Sequence, residues 1–123
     1  MVDRLLRQGA MAEIVGPPCS GRTSLLLRCL AAATRRGGVA ALVDVDHALD
    51  PDSAARAGVP LSRLLWVRCE GRLRAALRAV DLLVRCPGFA LVALDAGDRA
   101  ARLDLAEAYR LRFAVRRAGT ALV

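Results

Sequence analysis

Short apolar runs alternate along this chain with segments whose apolar residues recur at helical spacing. Alternation of this kind is typical of βαβ units, in which helices cover a parallel sheet. We predict strands over residues 12–15, 39–45, 64–69, 89–94 and 120–123, and helices over residues 3–8, 21–35, 51–56, 72–86 and 102–117. The sequence therefore predicts a single α/β domain over residues 1–123 with a three-layer parallel-sheet architecture. Because a strand ends the chain, we expect a C-terminally truncated domain.

The composition indicates a globular domain. Hydrophobic residues make up 55% and charged residues 25% of the 123 residues, which excludes a disordered chain. Arginines interrupt the longest apolar stretches well before the roughly 18 residues of a membrane helix accumulate. Residues 1–13 also lack the apolar core of a secretion signal. We expect a cytoplasmic protein with no membrane partner.

All 19 basic residues are arginine, and the formal net charge is +7. We interpret the absence of lysine as the mark of a GC-rich genome, so most single arginines carry little information about function. The four cysteines are widely spaced and His47 is the one histidine, a pattern that does not favour a zinc site or a disulfide framework.

A glycine-containing loop joins the first predicted β-strand to the helix that follows it. Residues 16–23 read GPPCSGRT, which is the phosphate-loop pattern GxxxxGK[ST] with arginine in place of lysine. Such a loop curls around phosphates and offers backbone N–H groups and a helix N-terminus to the anion. The predicted nucleotide-binding residues are Gly16, Cys19, Ser20, Gly21, Arg22, Thr23 and Ser24. The alternative is a glycine turn that only caps a helix.

Arg22 is the departure from the pattern that bears on activity. The usual lysine places a compact charge between the β- and γ-phosphates, whereas a guanidinium is a larger planar group that does not fit the same space. The positive charge and the backbone donors remain. The substitution therefore predicts that nucleotide binding survives and that efficient hydrolysis does not.

Several aspartates follow predicted strands at one edge of the sheet. Asp95 ends an apolar strand, where phosphate-loop proteins place an aspartate that helps to hold Mg²⁺. Asp44 and Asp46 follow the second strand at the same edge, where open α/β sheets collect their ligands. Thr23 and Asp95 are the predicted magnesium ligands. Asp46 is alternatively a turn residue, and Asp50 is predicted to cap a short helix.

These segments resemble the core of the RecA recombinase family. The similarity covers residues 12–95, and it is carried by residues 13–23, 37–41 and 43–51, the last of which contain the string HALDP. The resemblance implies a RecA-like P-loop NTPase domain with ATP and Mg²⁺ as cofactors. It also implies that Asp46 occupies the place of a glutamate that activates the attacking water, and Asp46 is therefore the candidate catalytic base.

The departures from the RecA pattern point to a shortened and degenerate member. The Asp46 carboxylate is withdrawn by about 1.5 Å relative to a glutamate, a displacement that can cost about 10²-fold where positioning matters. The DNA-binding loops and the glutamine-ended strand of RecA have no counterpart in this sequence. In this respect the chain resembles the ImuA and SulA-like branch, which implies a role in the bacterial DNA-damage response.

Three functions follow from these observations. The first is a nucleotide-binding module that acts in DNA repair or SOS mutagenesis by binding protein partners, with weak or absent ATP hydrolysis. The second is an active DNA-dependent ATPase of RecA type. The third is a basic module that binds nucleic acid through arginines of the last predicted helix, namely Arg110, Arg112, Arg116 and Arg117. The alternative for those arginines is a solvated helix face.

Overall fold

The computed structural model describes residue 11 and residues 21–35, 37–86, 88–96 and 121–122. In chain order the described elements are α1 (Arg22–Arg35), β1 (Val39–Asp44), α2 (Pro51–Arg56), a 3₁₀ turn (Leu61–Arg63), β2 (Leu64–Arg68), α3 (Leu73–Arg85), β3 (Phe89–Asp95) and β4 (Ala121–Leu122). Apart from the 3₁₀ turn, which the sequence pattern did not predict, each of these elements confirms a predicted one, with ends that agree or differ by one residue. The helices predicted over residues 3–8 and 102–117 and the strand over residues 12–15 lie outside the described residues.

The described strands form one parallel sheet in the order β2-β1-β3-β4. β1 lies inside the sheet, paired with β2 on one side and with β3 on the other. Its last residue, Asp44, is in register with Arg68 of β2 and with Asp95 of β3. The sheet thus confirms the predicted parallel α/β class and brings three charged residues side by side at its carboxyl edge.

The described helices cover both faces of the sheet. One buried cluster joins α1 and the end of α2 to Ala40, Leu42, Leu91 and Ala93 of the sheet. A second cluster joins α3, through Val80 and Val84 among others, to the opposite face. Because helices cover both faces of β1, its side chains are buried on either side, and the strand is almost entirely apolar. The three predicted layers are therefore present.

A close approach at Gly38 holds the end of α1 against the sheet. A Cβ atom at this position would lie 2.8 Å from the Ala33 carbonyl oxygen and 2.9 Å from the Ala90 Cβ. Neither neighbour is a flexible side-chain end, so glycine is required where the chain passes from α1 into β1.

The short helix α2 begins as predicted, with Asp50 as its N-cap. One Asp50 oxygen accepts a hydrogen bond from the Asp52 N–H at 3.1 Å, and the other accepts from the Ser53 hydroxyl at 2.8 Å. Pro51 takes the first helical position, where its missing N–H has no cost. The Ser53 hydroxyl and the Asp52 N–H together lower the pKa of the Asp50 carboxyl.

On the outer side of α3, Asp81 and Arg85 form an ion pair, with Oδ1 and Nε 3.1 Å apart. Within the part of the chain that the structure describes, no helix is long and apolar enough to cross a membrane.

Candidate functional site

The first turn of α1 lies at the carboxyl edge of the sheet. α1 has 14 residues and β1 has six, so both are about 20 Å long. Because α1 ends just before β1 begins and packs along it, the start of α1 lies near the carboxyl end of β1. This placement brings the predicted residues 21–24 to the same edge as the aspartates. The predicted residues Gly16, Cys19 and Ser20 lie outside the described residues.

The backbone changes direction at Gly21, immediately before α1. Its φ angle of 92° lies in the left-handed region that glycine adopts without strain. The Gly21 carbonyl accepts the hydrogen bond of the Leu25 N–H at 3.0 Å and so opens the helical ladder. Arg22 is half-buried, while Thr23 and Ser24 are exposed at the helix start. The N–H groups of a first helical turn lack intrahelical acceptors, so this turn is suited to an anion.

The Asp44 carboxylate at the end of β1 is fully buried. Among the described residues it accepts three hydrogen bonds: from the Ala48 N–H at 3.0 Å, the Leu49 N–H at 2.9 Å and the Trp66 indole N–H at 3.1 Å. These donors compensate a carboxylate that has lost its water. Asp44 therefore organises the loop after β1 rather than offering its oxygens to a ligand.

The loop from residue 45 to residue 49 is also held by contacts to its neighbours. Val45 donates its N–H to the Asp95 carbonyl at 3.1 Å, which continues the β1–β3 pairing by one residue. His47 has a φ angle of 60° and lies edge-on to the Trp66 ring, with centroids 5.1 Å apart. The Arg68 guanidinium lies 5.1 Å from the same ring. The loop is thus held at Val45 by the end of β3 and at His47 by the ring of Trp66.

Asp46 and Asp95, the other predicted acidic residues, lie on either side of Asp44. Asp46 is exposed in the turn directly after β1, and Asp95 is half-buried at the end of β3, in register with Asp44. The structure therefore brings the predicted catalytic base and one predicted magnesium ligand to the same edge as Thr23.

The donor set at this edge suits magnesium. A hydroxyl from Thr23 and a carboxylate from Asp95 are hard oxygen ligands, and Mg²⁺ usually takes one or two protein ligands together with substrate phosphates and water. No group of three His, Cys, Asp or Glu side chains that could hold a metal occurs among the described residues. A site with two protein oxygens is compatible with that finding.

Two features of the edge were missed from the sequence. The sequence pattern places Asp44 with the aspartates at the ligand-binding edge, whereas its burial makes it a structural anchor of the loop. Trp66 packs against the core, and its indole N–H also donates to Asp44, 22 residues away in the sequence. The available signal was that a half-buried tryptophan needs an acceptor for its N–H.

Comparison with known proteins assigns the chain to a family. The model of the RecA N-terminal domain matches residues 5–107. The chain belongs to the RecA family. It is 43% identical over 90 residues to Protein RecA of Leifsonia xyli subsp. xyli, and 46% identical over 88 residues to Protein RecA of Prochlorococcus marinus strain MIT 9211. These matches cover 73% and 72% of this chain.

The RecA relatives are much longer than the matched part. The matches span 25% and 24% of the length of those two RecA proteins. Among solved structures, SulA from Pseudomonas aeruginosa aligns with a TM-score of 0.71 over 91% of this chain and 92% of that chain. Sequence identity to SulA is 18%, so this likeness concerns the fold. The predicted resemblance to the RecA core is confirmed.

Proposed function

We propose that this chain is a nucleotide-binding module of RecA type that binds MgATP, hydrolyses it weakly or not at all, and acts in the bacterial DNA-damage response by binding protein partners. DNA repair and SOS mutagenesis are the two processes in question, and the cytoplasm is the proposed location. Membership of the RecA family and the likeness of the fold to SulA support a role in the DNA-damage response.

The observation that carries the proposal is Arg22 at the first position of α1, directly after the left-handed Gly21. A phosphate held by this turn would meet a guanidinium where the family pattern has an ammonium group. The guanidinium supplies charge for binding, but its planar fork does not enter the space between the β- and γ-phosphates. The proposal therefore separates nucleotide binding, which is retained, from phosphoryl transfer, which is impaired.

Asp46 supports the same separation. Its side chain is exposed in the turn after β1, and it is one methylene shorter than the glutamate of the RecA pattern. The loop that carries it is fixed at Asp44, so the backbone cannot move forward to make up the missing length without breaking buried hydrogen bonds. A base that stops short of the water accelerates its attack less.

In the proposed site the chain's own groups divide the work of binding. The first turn of α1 and the Arg22 guanidinium hold the phosphates, while Thr23 and Asp95 hold Mg²⁺. Bound Mg²⁺ would neutralise phosphate charge. With hydrolysis impaired, nucleotide occupancy serves to hold the edge of the sheet in one arrangement, and protein partners bind the module in that arrangement.

The test measures binding and turnover of MgATP separately. We expect calorimetry to detect MgATP binding that Asp95→Asn weakens in the presence of Mg²⁺, with the remote Asp81→Asn unchanged. We expect turnover at the background level for the natural chain. Turnover at ordinary ATPase rates that Asp95→Asn abolishes would overturn the proposal and favour the active ATPase. Absence of nucleotide binding would also overturn it.

A variant that restores the residues of the RecA pattern at positions 22 and 46 provides the complementary test. Arg22→Lys with Asp46→Glu is expected to raise turnover, by up to about 10²-fold where phosphate and water positioning limit the rate. The matched controls are Arg28→Lys, an exposed position on the same helix, and Asp52→Glu, an exposed aspartate on α2. Equal rates for the repaired and control chains would contradict the assignment of these two residues.

DNA binding is the alternative that the basic charge raises. The arginines predicted to contact DNA, Arg110, Arg112, Arg116 and Arg117, lie outside the described residues. A salt titration with single- and double-stranded DNA distinguishes the functions, because phosphate contacts give affinity that falls steeply with salt. Strong, salt-dependent DNA binding without nucleotide binding would favour the basic nucleic-acid-binding module over the proposed function.

A further inference from the structure

Trp66 contacts both the last residue of β1 and the loop that follows it. Its indole N–H donates to the Asp44 carboxylate at 3.1 Å, and its ring lies 5.1 Å from the His47 ring at an interplanar angle of 88°. In the sequence, Asp46 stands between these two contacted residues. Trp66 therefore contacts the chain on both sides of the exposed aspartate, at Asp44 two residues before it and at His47 directly after it.

The contact to Asp44 acts on the loop through a shared oxygen. Oδ2 of Asp44 accepts from both the Trp66 indole and the Leu49 N–H, and Oδ1 accepts from the Ala48 N–H. The carboxylate is fully buried, so water does not replace a lost donor. Removal of the indole N–H leaves a buried charge with two donors in place of three, which weakens the whole anchor.

The contact to His47 restrains the backbone itself. His47 has a φ angle of 60°, a left-handed conformation that L-residues adopt rarely and that neighbouring contacts must maintain. The Trp66 ring provides such a contact, and Arg68 covers the same ring at 5.1 Å. The direction in which Asp46 leaves the sheet edge thus depends on Trp66 from both sides.

We propose that Trp66 is a positioning residue, which fixes the loop 45–49 through its indole N–H and so sets the place of Asp46 at the carboxyl edge. The part of this inference that concerns nucleotide rests on the proposed function. The part that concerns the loop does not, because it predicts the behaviour of the loop in the chain alone.

The first experiment measures amide hydrogen exchange by NMR at Ala48 and Leu49 in Trp66→Phe. Phenylalanine keeps an aromatic ring in the core and lacks the N–H. We expect exchange at both amides to become at least about tenfold faster, since a hydrogen bond to a buried charge is worth a tenfold change in an equilibrium or more. Amides in α3 are expected to be unchanged. Equal exchange at Ala48 and Leu49 in both chains would overturn the proposal.

Two further variants separate the N–H from the ring. Replacement of Trp66 by benzothienylalanine keeps the bicyclic shape without the N–H, and it serves also where phenylalanine impairs folding. It is expected to accelerate exchange at Ala48 and Leu49 as Trp66→Phe does. Arg68→Gln removes the cation over the ring but leaves the N–H, and it is expected to change exchange by less than about twofold. The reverse ranking would assign the effect to ring packing and overturn the proposal.

The second experiment connects the loop to the nucleotide. In the natural chain Trp66 is the single tryptophan, so its fluorescence reports the carboxyl edge directly. We expect MgATP to change that fluorescence. The double variant Asp46→Glu with Arg22→Lys is expected to gain ATP turnover, and we expect this gain to be lost when Trp66→Phe is added. The affinity for MgATP is expected to change by less than about threefold. Retention of the gained turnover in the triple variant would contradict the positioning role.

The two proposals fail differently. A natural chain that does not bind MgATP, together with faster exchange at Ala48 and Leu49 in Trp66→Phe, overturns the proposed function and supports the loop-holding role of Trp66. A chain that binds MgATP while exchange stays unchanged in Trp66→Phe supports the proposed function and overturns the role of Trp66.

Discussion

Replacement of Asp44 by asparagine tests the physical basis of the carboxyl edge. The change keeps the size of the side chain but exchanges one acceptor oxygen for an NH₂ group, which only donates. An amide in place of Oδ2 would face the N–H groups of Leu49 and Trp66, and in place of Oδ1 it would face only that of Ala48. The asparagine is therefore expected to keep its oxygen toward Leu49 and Trp66.

The magnitude follows from the donors that lose their partner. One buried N–H, that of Ala48, is left without an acceptor, at a cost of about 1–3 kcal/mol. The two hydrogen bonds that remain change from charge-assisted to neutral, which loses about 1 kcal/mol more, while removal of a buried charge returns part of this. We expect Asp44→Asn to lower the free energy of unfolding by about 2–3 kcal/mol. Asp44→Ala leaves all three donors unpaired, and we expect about 3–5 kcal/mol.

Urea denaturation followed by circular dichroism measures these changes, and an unchanged slope with denaturant would show that only stability has moved. The melting temperature of Asp44→Asn is expected to fall by about 10 °C for a domain of this size. Asp81→Asn is the control, because its exposed ion pair with Arg85 contributes only about 0.3–0.5 kcal/mol. A loss below about 0.5 kcal/mol for Asp44→Asn would refute the anchoring role of the carboxylate.

Three further predictions concern the fold around the site. Gly38→Ala is expected to lower the free energy of unfolding by about 1–3 kcal/mol, because the added Cβ clashes with the end of α1 and with the sheet. Gly37 has a φ angle of 81° and open space around it, so Gly37→Ala is expected to cost about 1 kcal/mol through backbone strain alone. Equal unfolding midpoints for the two variants would contradict this ranking. The hydrogen bonds that Asp50 accepts lower its pKa, so the stabilisation from this cap is present above the ordinary pKa of 3.8 and is lost as the pH falls below that value. The melting temperatures of the natural chain and of Asp50→Ala should therefore converge in acid. Iodoacetamide is expected to label the exposed Cys86 well before the buried Cys29, whose pKa is raised by burial, and peptide mapping that finds Cys29 labelled first would count against the described packing of α1.

The sequence by itself determined the elements whose signals are local. Apolar runs and helical spacing gave the order of the described strands and helices, Asp50 before Pro51 gave the start of α2, and Gly21 before Arg22 gave the start of α1. Residues a few positions apart suffice for such signals, because backbone conformation and capping depend on neighbouring residues.

Only the tertiary structure decided the roles of the charged and aromatic residues at the carboxyl edge. Asp44, Asp46 and Asp95 follow strands in the same way in the sequence, but the parallel register buries Asp44 between β2 and β3 and leaves Asp46 exposed. The partner of the Trp66 indole lies 22 residues away, and no local pattern specifies it. Burial turns one of three similar carboxylates into the anchor of a loop, since a charge without water must take its donors from whatever the fold brings beside it.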